Sequence, residues 1–160
     1  MKAYVAGCVV EKDGKYLMVK EKKRDCYGQY NLPSGAVEEG ESITDAAIRE
    51  VLEETGYEVE LLGALPIQTI YRDNQTIVKF MFQAKIVGGS QNNLDSAESM
   101  GIEWMSKEDL KRLDRDDLRS DASVFMAIKK LKEGKIYPMD LFTECIIHEK
   151  GKNSFFGLRK

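Results

Sequence analysis

The chain has 160 residues, 42% hydrophobic and 32% charged, with a formal net charge of −3. That length reads as one domain, residues 1–160, large enough to bury a core. No apolar run reaches the length of a membrane span, and mild acidity argues against a nucleic-acid polymer as partner.

Taken in order, the N-terminal MKAYVAGCVVEKDG meets charge too early for a signal peptide and alternates like a strand. Cys8, Cys26 and Cys145 are odd in number and form no CxxC pair, so reduced thiols in a cytoplasmic protein are expected. Residues 3–10 and 15–20 read as strands, and Asp13-Gly14 between them as a hairpin turn. A basic patch follows at Lys20, Lys22, Lys23 and Arg24, either a solvated loop or a clamp for phosphate. Residues 27–35 predict a short strand entering a Pro33/Gly35 loop.

Ser42 and Asp45 predict a capped start for a helix over about 43–55, and Gly56 a C-terminal stop. Residues 59–71 return to strand character. A second hairpin is expected, with strands over 68–71 and 76–87 flanking the turn Asp73-Asn74-Gln75, followed by a polar loop over 88–99. Residues 102–105 read as a strand, and Ser106 to Asp109 as a capped helix start. Ser120 is expected to cap a last helix carrying Val124, Ile128 and Leu131, which Gly134 ends. No element is assigned to the tail, 138–160. His148, the single histidine, is expected to be structural or exposed, and Phe155-Phe156 to pack or be disordered.

Acid is concentrated in one place. Residues 35–60 hold nine acids and one base, Arg49, for a net charge of −8. The remaining 23 bases and 18 acids leave +5 elsewhere. On a helical wheel Ala47, Ile48, Val51 and Leu52 share an apolar arc, the expected core face. Glu50, Glu53 and Glu54 share a neighbouring arc with Ile43 and Ala46, at spacings where like charges repel. Either a solvated acidic face or a site for a hard divalent cation fits that arc.

The spacing Gly35-x5-Glu41-x7-Arg49-Glu50-Val51-x-Glu53-Glu54-x-Gly56-Tyr57 resembles the Nudix box, with Tyr57 standing where an aliphatic residue is usual. The chain around it, over roughly residues 3–135, is similar to the family as well. A narrower similarity, through Leu118-Arg119-Ser120 and Gly134 to Pro138, is to the NudJ-like phosphatases. The resemblance implies an α+β chain, an α/β/α sandwich with a mixed sheet between helices. It implies a hydrolase for a phosphoanhydride bond in a nucleoside diphosphate linked to a further group. By similarity Glu50, Glu53 and Glu54 hold Mg²⁺ or Mn²⁺, the Ser34 carbonyl is a further ligand, Arg49 orients the glutamates, and Glu41 helps order the site.

Glu53 is the first choice for the general base and Glu98 the second. Lys20, Lys22, Lys23 and Arg24 are placed to steer phosphates, and Tyr27, Tyr30, Tyr71 and Phe82 to stack a base. Cys26 has no companion base, so covalent catalysis is not expected. The expected partner is a small phosphorylated molecule, a nucleotide by resemblance. A homodimer stays open. Three readings follow: hydrolysis of nucleoside di- or triphosphates or a related small pyrophosphate, hydrolysis of ADP-ribose or a dinucleoside polyphosphate, and a nucleotide sensor that does not cut.

Overall fold

The computed structural model describes residues 2–72, 74–95 and 97–145. Asp73, His148 and Phe155-Phe156 therefore lie outside the described residues. Strands β1 (Lys2–Lys12) and β2 (Lys15–Glu21) form the first hairpin. Asp13 and Gly14 both take positive φ, 52° and 74°, as a two-residue turn of this hand requires.

Short strands β3 (Tyr30–Asn31) and β4 (Ser34–Ala36) precede helix α1 (Ile43–Thr55). Ser42 Oγ accepts from the Asp45 amide at 3.0 Å and so caps α1 as expected. Strands β5 (Tyr57–Ala64), β6 (Gln68–Arg72), β7 (Gln75–Gly89) and β8 (Ser99–Ser106) follow. Helices α2 (Lys107–Arg112) and α3 (Asp121–Lys132) complete the set.

The sheet is mixed. β1 runs parallel to β7 from Lys2↔Thr76 to Val10↔Ala84, and antiparallel to β2 and β4. β5 and β6 pair with β7, and β3 and β8 with β2. Side chains alternate across this sheet with the period of two that a strand imposes. Ala6, Cys8, Val10, Leu17 and Phe82 pack on one face with Ala46, Ala47 and Val51 of α1. Val9, Tyr16, Met18 and Met81 pack on the other with Leu110 of α2 and Val124, Ile128 and Leu131 of α3. The result is the α/β/α sandwich.

Four boundaries differ from the sequence reading. Residues 59–71 are broken at Pro66, which cannot donate to a ladder, and the second piece, β6, is the expected arm of the hairpin with β7. β7 continues to Gly89 and β8 begins at Ser99, so the expected 88–99 loop is shorter by three residues and contains a 3-10 turn over Gln91–Asn93. The basic patch contains a 3-10 turn, Arg24–Cys26. Ser120 precedes α3, but its φ of 61° places it in the left-handed region and its side chain makes no capping bond. The Ala122 amide instead donates to Asp121 Oδ1 at 2.6 Å.

Gly56 ends α1 with φ 75°, and its amide donates to the Leu52 carbonyl at 2.8 Å. A Cβ there would also meet the Ser90 carbonyl and the Leu94 amide. Gly56→Ala is expected to lower unfolding free energy by at least the ~1–2 kcal/mol of a left-handed non-glycine residue, read by urea denaturation.

Candidate active site

Helix α1 is rotated further towards its acids than the wheel indicates. Ala46, Ala47 and Val51 are fully buried, and Ile48 is partly buried against the same cluster. Leu52, expected in the core, is 40% exposed. The inward places are taken by Glu54, 1% exposed, and Glu50, 6% exposed. Glu53 lies at the rim, with 40% of its side chain exposed.

The reason for the rotation lies in β4. Gly35 pairs with Ala6 and therefore faces α1. A Cβ at Gly35 would collide with the Glu50 carboxyl group, so only glycine leaves room for that side chain. One residue earlier, the Ser34 amide donates to Glu54 Oε2 at 2.9 Å. Gly7 lets the Pro33-Ser34 segment approach β1, since a Cβ there would meet Pro33 O and Ser34.

Arg49 connects the rest. Its Nε donates to Glu41 Oε1 at 2.7 Å and its Nη2 to Glu41 Oε2 at 2.9 Å, a two-pronged pair. Nη1 donates to Glu50 Oε1 at 2.8 Å and to Glu53 Oε2 at 3.0 Å. Nη2 also donates to the Ala36 carbonyl at 3.0 Å. The guanidinium thus finds an acceptor for each of its five N–H bonds. Its hydrogen bonds hold the Glu41 carboxyl below its ordinary range. Burial outweighs Arg49 at Glu50 and raises that carboxyl. At Glu54 burial, then the nearby Glu21 and Glu50, push the carboxyl well above the ordinary range. Lys23 Nζ, 4.0 Å from Glu54 Oε1, offsets this only in part.

The other residues named from sequence lie around this cluster. The loop carrying Glu98 docks on the end of α1, through the Asp95 amide to Glu53 O at 2.9 Å and Ser99 Oγ to Glu54 O at 2.9 Å. Among the described residues no hydrogen bond joins the Glu98 side chain to the box carboxylates. Lys20 Nζ sits 5.5 Å from the centre of the Tyr30 ring, and Tyr30 donates its hydroxyl to Glu103 Oε1 at 2.6 Å. Lys22 and Arg24 are exposed. Tyr27 and Tyr71 are exposed, the latter at 81%. Phe82 is fully buried in the core beneath α1 and so cannot stack a base. Burial raises the Cys26 thiol to about 11, which keeps it protonated near neutral pH.

Sequence reasoning missed a second charged cluster on the opposite face of β4. Glu21 is 1% exposed, and its Oε1 accepts from Asn31 Nδ2 at 2.9 Å and Arg119 Nη1 at 3.1 Å. Lys79 is buried on β7, and burial, then Arg119, lowers its ammonium to about 8. Lys79, Arg119, Asn31, Ser34 and Lys23 line a cavity of about 260 Å³. One signal was present in the sequence: Glu21 closes a strand carrying the continuous apolar run Tyr16-Leu17-Met18-Val19, where a buried acid needs partners.

The donor set suits a hard cation. Glu54 Oε1 is buried without a hydrogen-bond partner, and Glu50 and Glu21 are the carboxylates whose charges reach it. Among the described residues no three acidic side chains are already gathered as a ligand shell. Arg49 Nη1 stands between Glu50 and Glu53.

A mixed sheet between helices, with one helix turning three glutamates towards a strand-loop wall, defines a Nudix-type sandwich. The chain belongs to the Nudix family: residues 1–127 match its NUDIX domain. It is 36% identical over 120 residues to the 8-oxo-dGDP phosphatase NUDT18 of Danio rerio, covering 73% of this chain and 36% of that protein. It is 28% identical over 135 residues to the phosphatase NudJ of Escherichia coli O1:K1 / APEC, covering 84% and 86%. A solved NUDIX hydrolase from Nitrosomonas europaea superposes with a TM-score of 0.82 at 27% identity, over 90% of this chain and 97% of that one. The chain spans about a third of the length of the first curated relatives it matches, 30% and 36%.

The raised Glu54 carboxyl gives a pH test. Its folded-state pKa lies above its unfolded one, so its contribution to stability is present below the unfolded value and lost as pH rises through the folded one. In metal-free buffer, Glu54→Gln is expected to stabilise the protein at pH 8 and to change little at pH 4, as read by thermal melting.

Proposed function

We propose that the chain is a divalent-metal-dependent hydrolase that cleaves a phosphoanhydride bond by attack of water on phosphorus. The substrate class is nucleoside di- or triphosphates or a related small pyrophosphate. The observation that carries this reading is the Arg49 cluster, with Glu41, Glu50 and Glu53 on one guanidinium, and beside it the buried Glu54 Oε1, which accepts no hydrogen bond. The relative named for 8-oxo-dGDP supports the nucleotide class.

Glu50, Glu53 and Glu54 would hold the cation, with the Ser34 carbonyl as a further oxygen ligand. When bound there, Mg²⁺ or Mn²⁺ supplies charge neutralisation at phosphate oxygens and lowers the pKa of a water. Arg49 holds Glu50 and Glu53 together on one Nη until a cation competes for their oxygens. Glu41 occupies the far side of Arg49 and keeps the guanidinium in place. Glu53 is the proposed base. It is the most exposed of the three α1 glutamates, so water and substrate reach it, whereas Glu50 and Glu54 are buried. Glu98 is the alternative, on a loop hydrogen-bonded to the same helix end through Asp95 and Ser99. Lys23, beside Glu54, is the patch residue best placed to meet a phosphate oxygen, while Lys20, Lys22, Arg24, Tyr27, Tyr30 and Tyr71 would act further out.

A release assay across nucleoside triphosphates, nucleoside diphosphates, ADP-ribose and small pyrophosphates, with and without Mg²⁺, tests the activity. Turnover that requires the metal is expected. Tight binding without turnover of any of them would favour a sensor. With an active substrate, Glu53→Gln is expected to lower kcat by roughly 10²–10⁴ at saturating metal, and Glu98→Gln to leave it near wild type. The reverse pattern would move the base to Glu98.

A further inference from the structure

We propose that the cavity beside β4 receives a second anionic group of the substrate, a phosphate or carboxylate remote from the bond that is cut. Lys79 and Arg119 are its counter-charges. The inference rests on the hydrolase reading, because it treats the α1 face as the place where the bond is cut.

Lys79 is the starting observation. It is 5% exposed, and among the described residues no hydrogen bond or ion pair within 4.0 Å reaches its Nζ. Glu54 and Glu21 are near enough to favour its charge, but neither pairs with it. A buried ammonium without a partner is costly to the fold, and a ligand anion that pairs with it recovers that cost. Lys79 lies on β7 opposite Val5 of β1 and Gln68 of β6, in a cavity whose walls mix apolar Ala3, Val5, Ile70 and Ile77 with polar and charged side chains. Burial around a charge strengthens any pairing it makes.

Arg119 is the second counter-charge, and it is held in advance. Nη1 donates to Glu21 Oε1, Nη2 lies 3.5 Å from Asp25 Oδ2, and the Arg119 amide donates to Tyr30 O at 2.9 Å. Lys23 and Arg72 add two further cations to the lining; Asp25 and the buried Glu21 face Arg119, and Glu54 lies 4.0 Å from Lys23, so Lys79 is the buried lining cation that these acids leave without a direct ion pair.

The strand between the two places makes one substrate long enough for both. Ser34, Gly35 and Ala36 all line the cavity, and the same strand meets the α1 carboxylates, Gly35 beside Glu50 and the Ser34 amide on Glu54. Lys23 belongs to both sides, lining the cavity and standing 4.0 Å from Glu54. An anion held at Lys79 would thus fix the substrate in register with the box.

The test is a titration of the metal-free protein, followed by amide NMR, with inorganic phosphate, acetate and guanosine in separate arms. Phosphate or acetate is expected to shift amides around residues 77–79 and 119. The tighter of the two identifies a phosphate or a carboxylate as the group bound. Lys79→Met is expected to weaken that binding at least tenfold, and Lys85→Met, on the same strand, to leave it unchanged. The melting temperature of Lys79→Met in anion-free buffer is expected to equal or exceed wild type, because a costly charge has been removed. Arg119→Gln carries the same binding expectation and serves if Lys79→Met does not fold. Undiminished anion binding in both variants, a lower melting temperature for a folded Lys79→Met, or saturation of the cavity by guanosine alone would overturn the proposal. No turnover is read, so a failed titration and a failed release assay are separate results.

Discussion

Arg49 donates every N–H of its guanidinium, and the acidic face depends on that one side chain. Between positions 35 and 60 it is the only base among nine acids. Glutamates at spacings of three and four on a helix repel one another. Arg49 converts that repulsion into order by placing one Nη between Glu50 and Glu53 and both Nε and Nη2 on Glu41. A lysine could supply the charge but not the planar fork that meets three carboxylates and a carbonyl at once.

What Arg49 does not satisfy is the inner half of the face. Glu54 is buried, Ser34 hydrogen-bonds one of its oxygens, and the other is left without a hydrogen-bond partner. Glu50 is accommodated only because Gly35 has no side chain. The fold therefore carries an electrostatic cost at the place where the proposed cation would sit. Such a cost is common at sites built for a ligand. Buried Lys79, on β7 beside the same strand, carries a similar cost for a charge of the opposite sign.

The helix and its acids were legible in the sequence because their neighbours are local. Glu53 and Glu54 follow Glu50 by three and four residues, and a helical wheel is enough to group them. The hairpin at Asp13-Gly14 and the stop at Gly56 were legible for the same reason, since positive φ narrows the choice of residue. The wheel did not give the rotation of α1, because that depends on Gly35 and Ser34 approaching from another strand. Leu52 was therefore placed inside and is exposed. The Glu21, Lys79 and Arg119 cluster was hidden for a stronger version of this reason. Its members are 58 and 40 residues apart in sequence and meet only through the pairing of β1 with β7 and the return of the chain before α3. Ser120 had the right residue type for a cap, but its left-handed backbone turns its side chain away from that use.

The central claim is that the inner carboxylates of α1 together form a divalent-cation site. Calorimetric titration of Mg²⁺ into the wild-type protein and into Glu54→Gln, without substrate, tests it most directly. The account predicts saturable binding to wild type, weakened at least tenfold in Glu54→Gln. Equal Mg²⁺ affinity in the two proteins would contradict it.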